Sequence, residues 1–422
     1  MQIFTVSLVF AASLLVWLAA RLWLSTRQMR HVTAHRDRVP EPFAGIVDLA
    51  VHRKAADYTL AKGRLGLFSM TFSATVLLLW TLLGGLDALN MVVRDATQPA
   101  WGDMGYQLAL LAAFVGIGAL LDLPFEWLAT FRVEQRFGFN RMTPSLFWAD
   151  QAKSLLVAAL IGLPLAALVL WLMGHSGGQW WLWAWLTWVV FTLALMVLYP
   201  TVIAPLFNKF EPLADEGLKA RVQALMQRCG FAAKGLFVMD GSRRSAHGNA
   251  YFTGLGSAKR VVFFDTLLQR LSPTEVEAVL AHELGHFRHR HVQKRMVTMF
   301  AASGLALATL GWLTGQTAFY AGLGVQPNLA APNDALALIL FVLVLPIVSF
   351  FTTPLMAQLS RRHEFEADAY ACAQADGRQL ASALLKLHED NAATLTPDPL
   401  YVRFYYSHPP ASERLAALPA PA

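Results

Sequence analysis

The 422 residues are 56% hydrophobic and only 15% charged, with a mean hydropathy of +0.44. That excludes an ordinary water-soluble protein, in which about a quarter of residues are charged, and a disordered one, which would be poor in apolar residues and rich in charge. The net charge of +6 would point to nucleic acid if the basic residues gathered on one soluble face, but in a membrane protein it reports topology.

Crossing a bilayer takes about 20 apolar residues, and seven stretches qualify: 3–20, 67–86, 104–121, 154–173, 180–207, 296–322 and 335–359. The first has no basic segment before it and runs into Arg21, Arg27 and Arg30, so it reads as an uncleaved helix rather than a signal peptide. Nine basic residues lie between spans one and two, four between three and four, fourteen between five and six, and six after span seven. Only Arg94 is left for the other side, which also carries Asp87, Asp95, Asp103 and Asp334. Loops rich in Lys and Arg stay cytoplasmic. The expected topology is therefore N-terminus outside and C-terminus inside, in the inner membrane of a bacterium or an endoplasmic-reticulum-type membrane of a eukaryote, with no nucleic-acid partner. Trp180, Trp181, Trp183, Trp185 and Trp188 read as an interfacial belt for span five. Asp122 and Glu126 share a helical face at the end of span three, facing either a wet interior or hydrated headgroups, and are assigned no chemistry. The two cysteines, Cys229 and Cys372, cannot build a disulfide framework or a thiolate metal site and read as inert packed thiols.

The expected organisation is a five-span membrane domain over 1–207, a soluble part over 208–295, spans six and seven over 296–359, and a second soluble part over 360–422. In the first soluble part, Leu218, Val222, Leu225 and Met226 recur at helical spacing and Gly230 follows as a stop signal. Extended segments are predicted over 235–239, 250–253 and 260–264, with Gly248, Gly254 and Gly256 as turns. Ser272-Pro273-Thr274-Glu275 then opens a helix: Ser272 caps, Pro273 suits the first helical position, and Glu275 completes a capping box.

That helix carries His282-Glu283-Leu284-Gly285-His286, the pattern H-E-x-x-H. Residues four apart stack on one face about 6 Å apart along the axis, so both imidazoles reach one ion while Glu283 projects toward its water. With twelve His and twelve Glu in the chain, chance would supply the pattern only about 0.01 times, so a metal site is the expectation. His289 and His291 read as a polar patch at the helix end. Catalytic zinc usually takes three protein ligands plus a water, so a third is sought in Ser360-Arg361-Arg362-His363-Glu364-Phe365-Glu366-Ala367-Asp368. Glu364 and Asp368 share a helical face, with Glu366 roughly opposite. Glu364 as ligand, with Asp368 accepting from one imidazole to hold its tautomer, meets the need; His363 and Glu366 are rival ligands.

Several segments together resemble a known family, the type I CAAX prenyl endopeptidases, sterile-24-type integral membrane zinc metalloproteases. They are Asp122-Leu123-Pro124-Phe125, Phe137-Gly138-Phe139-Asn140, Tyr199-Pro200 with Ile203-Ala204-Pro205-Leu206-Phe207-Asn208-Lys209-Phe210, Ser245-Ala246-His247-Gly248-Asn249-Ala250-Tyr251-Phe252, the H-E-L-G-H helix, Glu364 to Asp368, and Ser407-His408-Pro409-Pro410 with Glu413-Arg414. The resemblance spans most of the chain. It implies a mainly α, multi-pass fold in which seven transmembrane helices enclose a chamber closed by a zincin-like part with a small β-sheet. It further implies one Zn2+ per chain on His282, His286 and Glu364, Glu283 as acid/base, and His408 and Arg414 stabilising the tetrahedral intermediate. Asn249, Ala250, Tyr251 and Phe252 would form the edge strand that pairs with substrate. Gly248 departs from the family's usual Ser.

The expected function is a zinc metalloendopeptidase acting near the cytoplasmic membrane face on a peptide or protein, with or without a lipid, among membrane lipids. A quality-control protease for damaged membrane proteins would use the same site. A transporter or zinc-binding scaffold is disfavoured, because Glu283 would then have no purpose and no internal repeat is visible.

Overall fold

The structure, a computed structural model, describes residues 2–232, 235–253 and 259–418; the turn expected at Gly254 and Gly256 lies outside them. The apolar stretches are the middles of longer helices, because the flanking Lys, Arg, Gln and Ala residues are good helix formers once past the bilayer. These are α1 (Ile3–His35), α2 (Leu49–Trp80), α3 (Gly85–Leu128), α4 (Pro144–His175) and α5 (Trp180–Leu198). Side-chain caps open two of them: Asp48 accepts from the Ala50 N–H, and Thr143 from the Leu146 N–H. The second span stops at Trp80, earlier than the expected 86, because residues 81–84 make the turn into α3. Within α3 the backbone breaks at Gly102 (φ +66°), which only glycine adopts without strain; the crossing proper begins beyond it.

Among the described residues, six helices, or seven with one bent pair, are long and apolar enough to cross a membrane. At most 17% of the residues in each of the six crossing segments are buried. Most side chains of these segments therefore face outward or line the spaces between helices rather than a packed core. The tryptophan belt divides: Trp183 and Trp188 are exposed, Trp180 is buried, and Trp185 donates to the Phe300 carbonyl in the sixth span at 2.9 Å. Asp122 and Glu126 are exposed, with Glu126 accepting from Gln151.

The soluble part begins with β1 (Phe210–Pro212), followed by α6 (Glu216–Arg228), β2 (Gly235–Met239), β3 (Ala250–Thr253) and β4 (Arg260–Phe264). The sheet order is β1-β2-β4-β3, parallel between β2 and β4 and antiparallel elsewhere. β2, β3 and β4 coincide with the expected segments; β1 is three residues ending in proline, too short and too edge-like to read. Leu218, Val222, Leu225 and Met226 of α6 are all buried in a core shared with Val261 and Phe263 of β4. The same core takes Leu280 and Leu284 of α7 (Pro273–Arg288), each stabilising by about 1.5–3 kcal/mol. The Ser272–Glu275 capping box is present, and Glu275 also accepts from Ser382 and Lys386.

The sixth span is α8 (His291–Leu313), and the seventh is α9 (Asp334–Phe350) followed by α10 (Thr353–Gln374), set at 62° to each other. A single span over 335–359 was expected. Pro354 in the first turn of α10 lacks an N–H to continue the preceding helix, so the chain bends there. The bend lays α10 along α7. Below it follow α11 (Gly377–Asp390) and α12 (Ala411–Ala417). The basic loops gather at this end: Arg244 pairs with Asp150 at 2.8 Å, Arg27 with Asp398 at 2.8 Å, and Asn140 bridges to Ser245. At the opposite end Asn90, Tyr106, Asn328 and Arg94 form one hydrogen-bonded network.

Candidate active site

The site is made where α7 meets α10. Gly285 lets them touch, since a Cβ there would lie 2.8 Å from the Ala367 Cα. This contact brings together His282 and His286 from α7 and Glu364 and Asp368 from α10. His282 Nε2 and His286 Nε2 are 3.2 Å apart, and Glu364 lies 3.5 Å from the first through Oε2 and 3.4 Å from the second through Oε1. A tetrahedral ion bound at about 2.0–2.1 Å separates its ligand atoms by about 3.3 Å, so the donor set fits one. The chemistry of the atoms agrees. The buried Glu364 Oε2 has no hydrogen-bond partner, and two imidazole nitrogens point at each other, an arrangement stabilised by a cation between them.

Asp368 accepts from His282 Nδ1 at 2.7 Å, which puts the proton on Nδ1 and leaves Nε2 its lone pair. Asp368 is in turn held by Arg414, through Nε at 2.8 Å and through Nη2. Arg414 is buried, and its Nη1 lies 3.8 Å from Glu364 Oε2. Burial works to lower the pKa of His282, but the carboxylates of Asp368 and Glu364 outweigh it and push it up to about 9. Burial, then the His282 charge, drives His286 down to about 4. The carboxylates around His282 thus favour a positive charge at that ring. Glu283 is half-buried, and burial raises its carboxyl above the usual range against the pull of His282, which favours its taking up a proton.

The cluster sits between two cavities. One of about 670 Å³ is lined by His408, Ser407 and Tyr58 among others; His408 is 66% exposed, with Nε2 3.5 Å from Glu364 Oε1. The other, about 1010 Å³, is lined by His286, Phe252 and Thr253 and continues between the membrane helices along Ile161, Leu165 and Phe191. β3 is a sheet edge, as expected of 249–252, and packs on α7 through Phe252 against Phe287, ring centroids 5.2 Å apart. The Asn249 side chain accepts from the Ala250 N–H and its carbonyl from the Phe264 N–H. At Gly248 a Cβ would meet Leu267 Cα at 3.4 Å, ordinary contact, so the loop does not require glycine.

Of the rival ligands, His363 stacks on His291 with centroids 3.9 Å apart, and Glu366 accepts from His291 Nε2 at 2.8 Å. Neither belongs to the His282–His286–Glu364 cluster. Sequence reading missed His291, which is buried and touches His286 rather than forming a surface patch. Its place nine residues after His282, at the start of the next helix, was the signal available.

Residues 28–209 match the family model described as CAAX prenyl protease N-terminal, five membrane helices, and residues 212–422 match peptidase family M48. The chain is 32% identical to CAAX prenyl protease 1 of Saccharomyces cerevisiae over 94% of this chain and 91% of that one. It is 31% identical to the CAAX prenyl protease 1 homolog of Homo sapiens over 99% and 95%. Its fold is similar to the crystal structure of S. mikatae Ste24p, with a TM-score of 0.91 at 30% identity over 98% of this chain and 99% of that one.

Proposed function

The chain belongs to the M48 family of CAAX-protease-type membrane metallopeptidases and is a multi-pass membrane metalloendopeptidase, and on that premise we propose that it is a zinc enzyme cleaving lipid-bearing peptides at the cytoplasmic membrane face. The observation that carries the reading is the trio of His282 Nε2, His286 Nε2 and the Glu364 carboxylate, whose buried Oε2 has no hydrogen-bond partner. Zinc, when bound, would polarise the scissile carbonyl and acidify its water.

The protein's own residues do the rest. Glu283 takes a proton from the attacking water and delivers it to the leaving amine nitrogen. His408, exposed to the cavity, donates to the developing oxyanion, with the Arg414 Nη1 beyond it. Asp368, anchored by Arg414, keeps His282 in the ligating tautomer. The substrate backbone adds to the free edge of β3 over Asn249, Ala250, Tyr251 and Phe252, so that selectivity comes from side-chain pockets rather than register alone. A lipid chain on the substrate would occupy the apolar cavity that runs from His286 into the membrane helices; the relatives' names, CAAX prenyl protease 1, point to a prenyl group. The basic loops that gather with the site support a cytoplasmic placement, with the N-terminus outside; the expected boundaries at 295 and 359 fall inside α8 and α10.

The test is mass-spectrometric: a mixed peptide library, with and without a farnesyl group, is incubated with wild type and with Glu283→Gln. Products made only by wild type, and enriched among farnesylated members, are expected. Cleavage by Glu283→Gln at wild-type rate would sink the mechanism, and equal cleavage of both pools would remove the lipid requirement and favour a quality-control role.

A further inference from the structure

His286 is held from behind by residues that the H-E-x-x-H pattern does not include. Its Nδ1 lies 3.0 Å from His291 Nδ1, and His291 Nε2 lies 2.8 Å from Glu366 Oε2. A carboxylate only accepts, so the single proton of a neutral His291 sits on Nε2. The His291 Nδ1 is then an acceptor, and His286 must donate from its own Nδ1. That leaves His286 Nε2 with a lone pair, aimed at His282 Nε2 and Glu364. The His291 ring cannot swivel: it is buried, with His363 parallel on one side at 3.9 Å and 13°, and His289 near-parallel at 5.5 Å and 14°.

We propose that Glu366 and His291 are positioning residues for the metal centre, a two-step relay that fixes the tautomer and aim of His286 as Asp368 does for His282. The inference rests on His286 being a ligand. The two ligand histidines are thereby served by different means: a carboxylate directly for His282, and a carboxylate through an intervening imidazole for His286. Both carboxylates come from α10, so the bend that delivers Glu364 also delivers the two groups that orient its fellow ligands.

His289, His291 and Glu366 also lie close enough to hold a cation of their own, but the hydrogen bonds argue against it. A cation on His291 Nε2 would move that proton to Nδ1. His286 Nδ1 would then have to accept, and its remaining proton would point from Nε2 into the cluster, where a lone pair is needed.

The test measures zinc affinity of the full chain in detergent by chelator competition, with the visible spectrum of the Co2+-loaded protein as a second readout. Glu366→Ala is expected to weaken zinc by roughly 10–100-fold and to shift the cobalt bands, with the unfolding midpoint of the chelator-stripped protein unchanged because Glu366 is 47% exposed. Glu366→Gln, whose amide oxygen still accepts, is expected to stay within a few-fold of wild type. Wild-type affinity and spectrum in Glu366→Ala would overturn the relay, as would loss only of a second, weaker zinc. His286→Ala separates the underlying reading: if it keeps zinc at wild-type affinity, His286 is no ligand and relay and reading fall together.

Discussion

Replacing Gly285 by Ala should show whether the two ligand-bearing helices are held at one spacing. The added Cβ would lie 2.8 Å from Ala367 Cα, 3.0 Å from its carbonyl oxygen and 3.2 Å from its Cβ. None of these atoms can rotate away, since all are backbone or the root of a side chain. Ordinary contact begins at 3.4 Å, so α7 and α10 must part by about 0.6 Å. Overpacking of this kind costs about 1–3 kcal/mol. The ligand set is less tolerant, because metal–ligand distances are held within about 0.2 Å, and Glu364 stands only three residues from the forced contact. If the strain is felt when the ligands close on the ion, the same 1–3 kcal/mol corresponds to about 5–150-fold weaker binding. The assay is zinc content of purified protein after equilibration with graded chelator, alongside thermal unfolding. Gly285→Ala that keeps wild-type zinc affinity and an unchanged midpoint would refute the claim that this contact sets the ligand geometry.

Glu283→Gln is expected to abolish peptide hydrolysis while retaining one zinc per chain, whereas His282→Ala loses both; metal analysis of the two purified variants distinguishes them. His408 and Arg414 should separate in the same way. His408→Ala, at an exposed position, lowers kcat with zinc content and unfolding unchanged, while Arg414→Ala leaves buried Asp368 without its cation, costs about 3–5 kcal/mol in thermal unfolding, and weakens zinc. Glu275 offers a pH test. Burial raises its pKa, but hydrogen bonds from Lys386, the Ser272 N–H and Ser382 outweigh it and hold the carboxyl below its ordinary 4.5. Its stabilisation is therefore present above pH 4.5 and lost as pH falls through the lower folded value. Glu275→Gln should lower stability by roughly 1.5–3 kcal/mol near neutrality, and the gap from wild type should close on acidification; a gap independent of pH would show that the charge does not matter.

What was legible in the sequence was whatever chain-local physics writes. Hydropathy marked the membrane crossings, since each must satisfy its backbone within its own helix. The Ser272 capping box and the spacing of Leu218, Val222, Leu225 and Met226 gave α7 and α6, and the four-residue interval of His282 and His286 put both imidazoles on one face. The resemblance named the family and preferred Glu364 over Glu366 and His363, a choice that spacing alone left open. The seventh span's bend at Pro354 went unread, because a proline near a helix end is equally a stop, a start or a kink until the neighbouring helix shows where the chain must go. Tertiary structure alone decided how α10 lies on α7. That packing separates Glu364, aimed at the imidazole nitrogens, from Glu366, two residues on and turned to His291, and it buries a histidine that had looked like surface. The reason is one of distance. Periodicity fixes which side chains share a face within one helix, but the few tenths of an ångström that make a ligand set depend on which backbone atoms, here those of Gly285 and Ala367, come into contact between helices more than eighty residues apart.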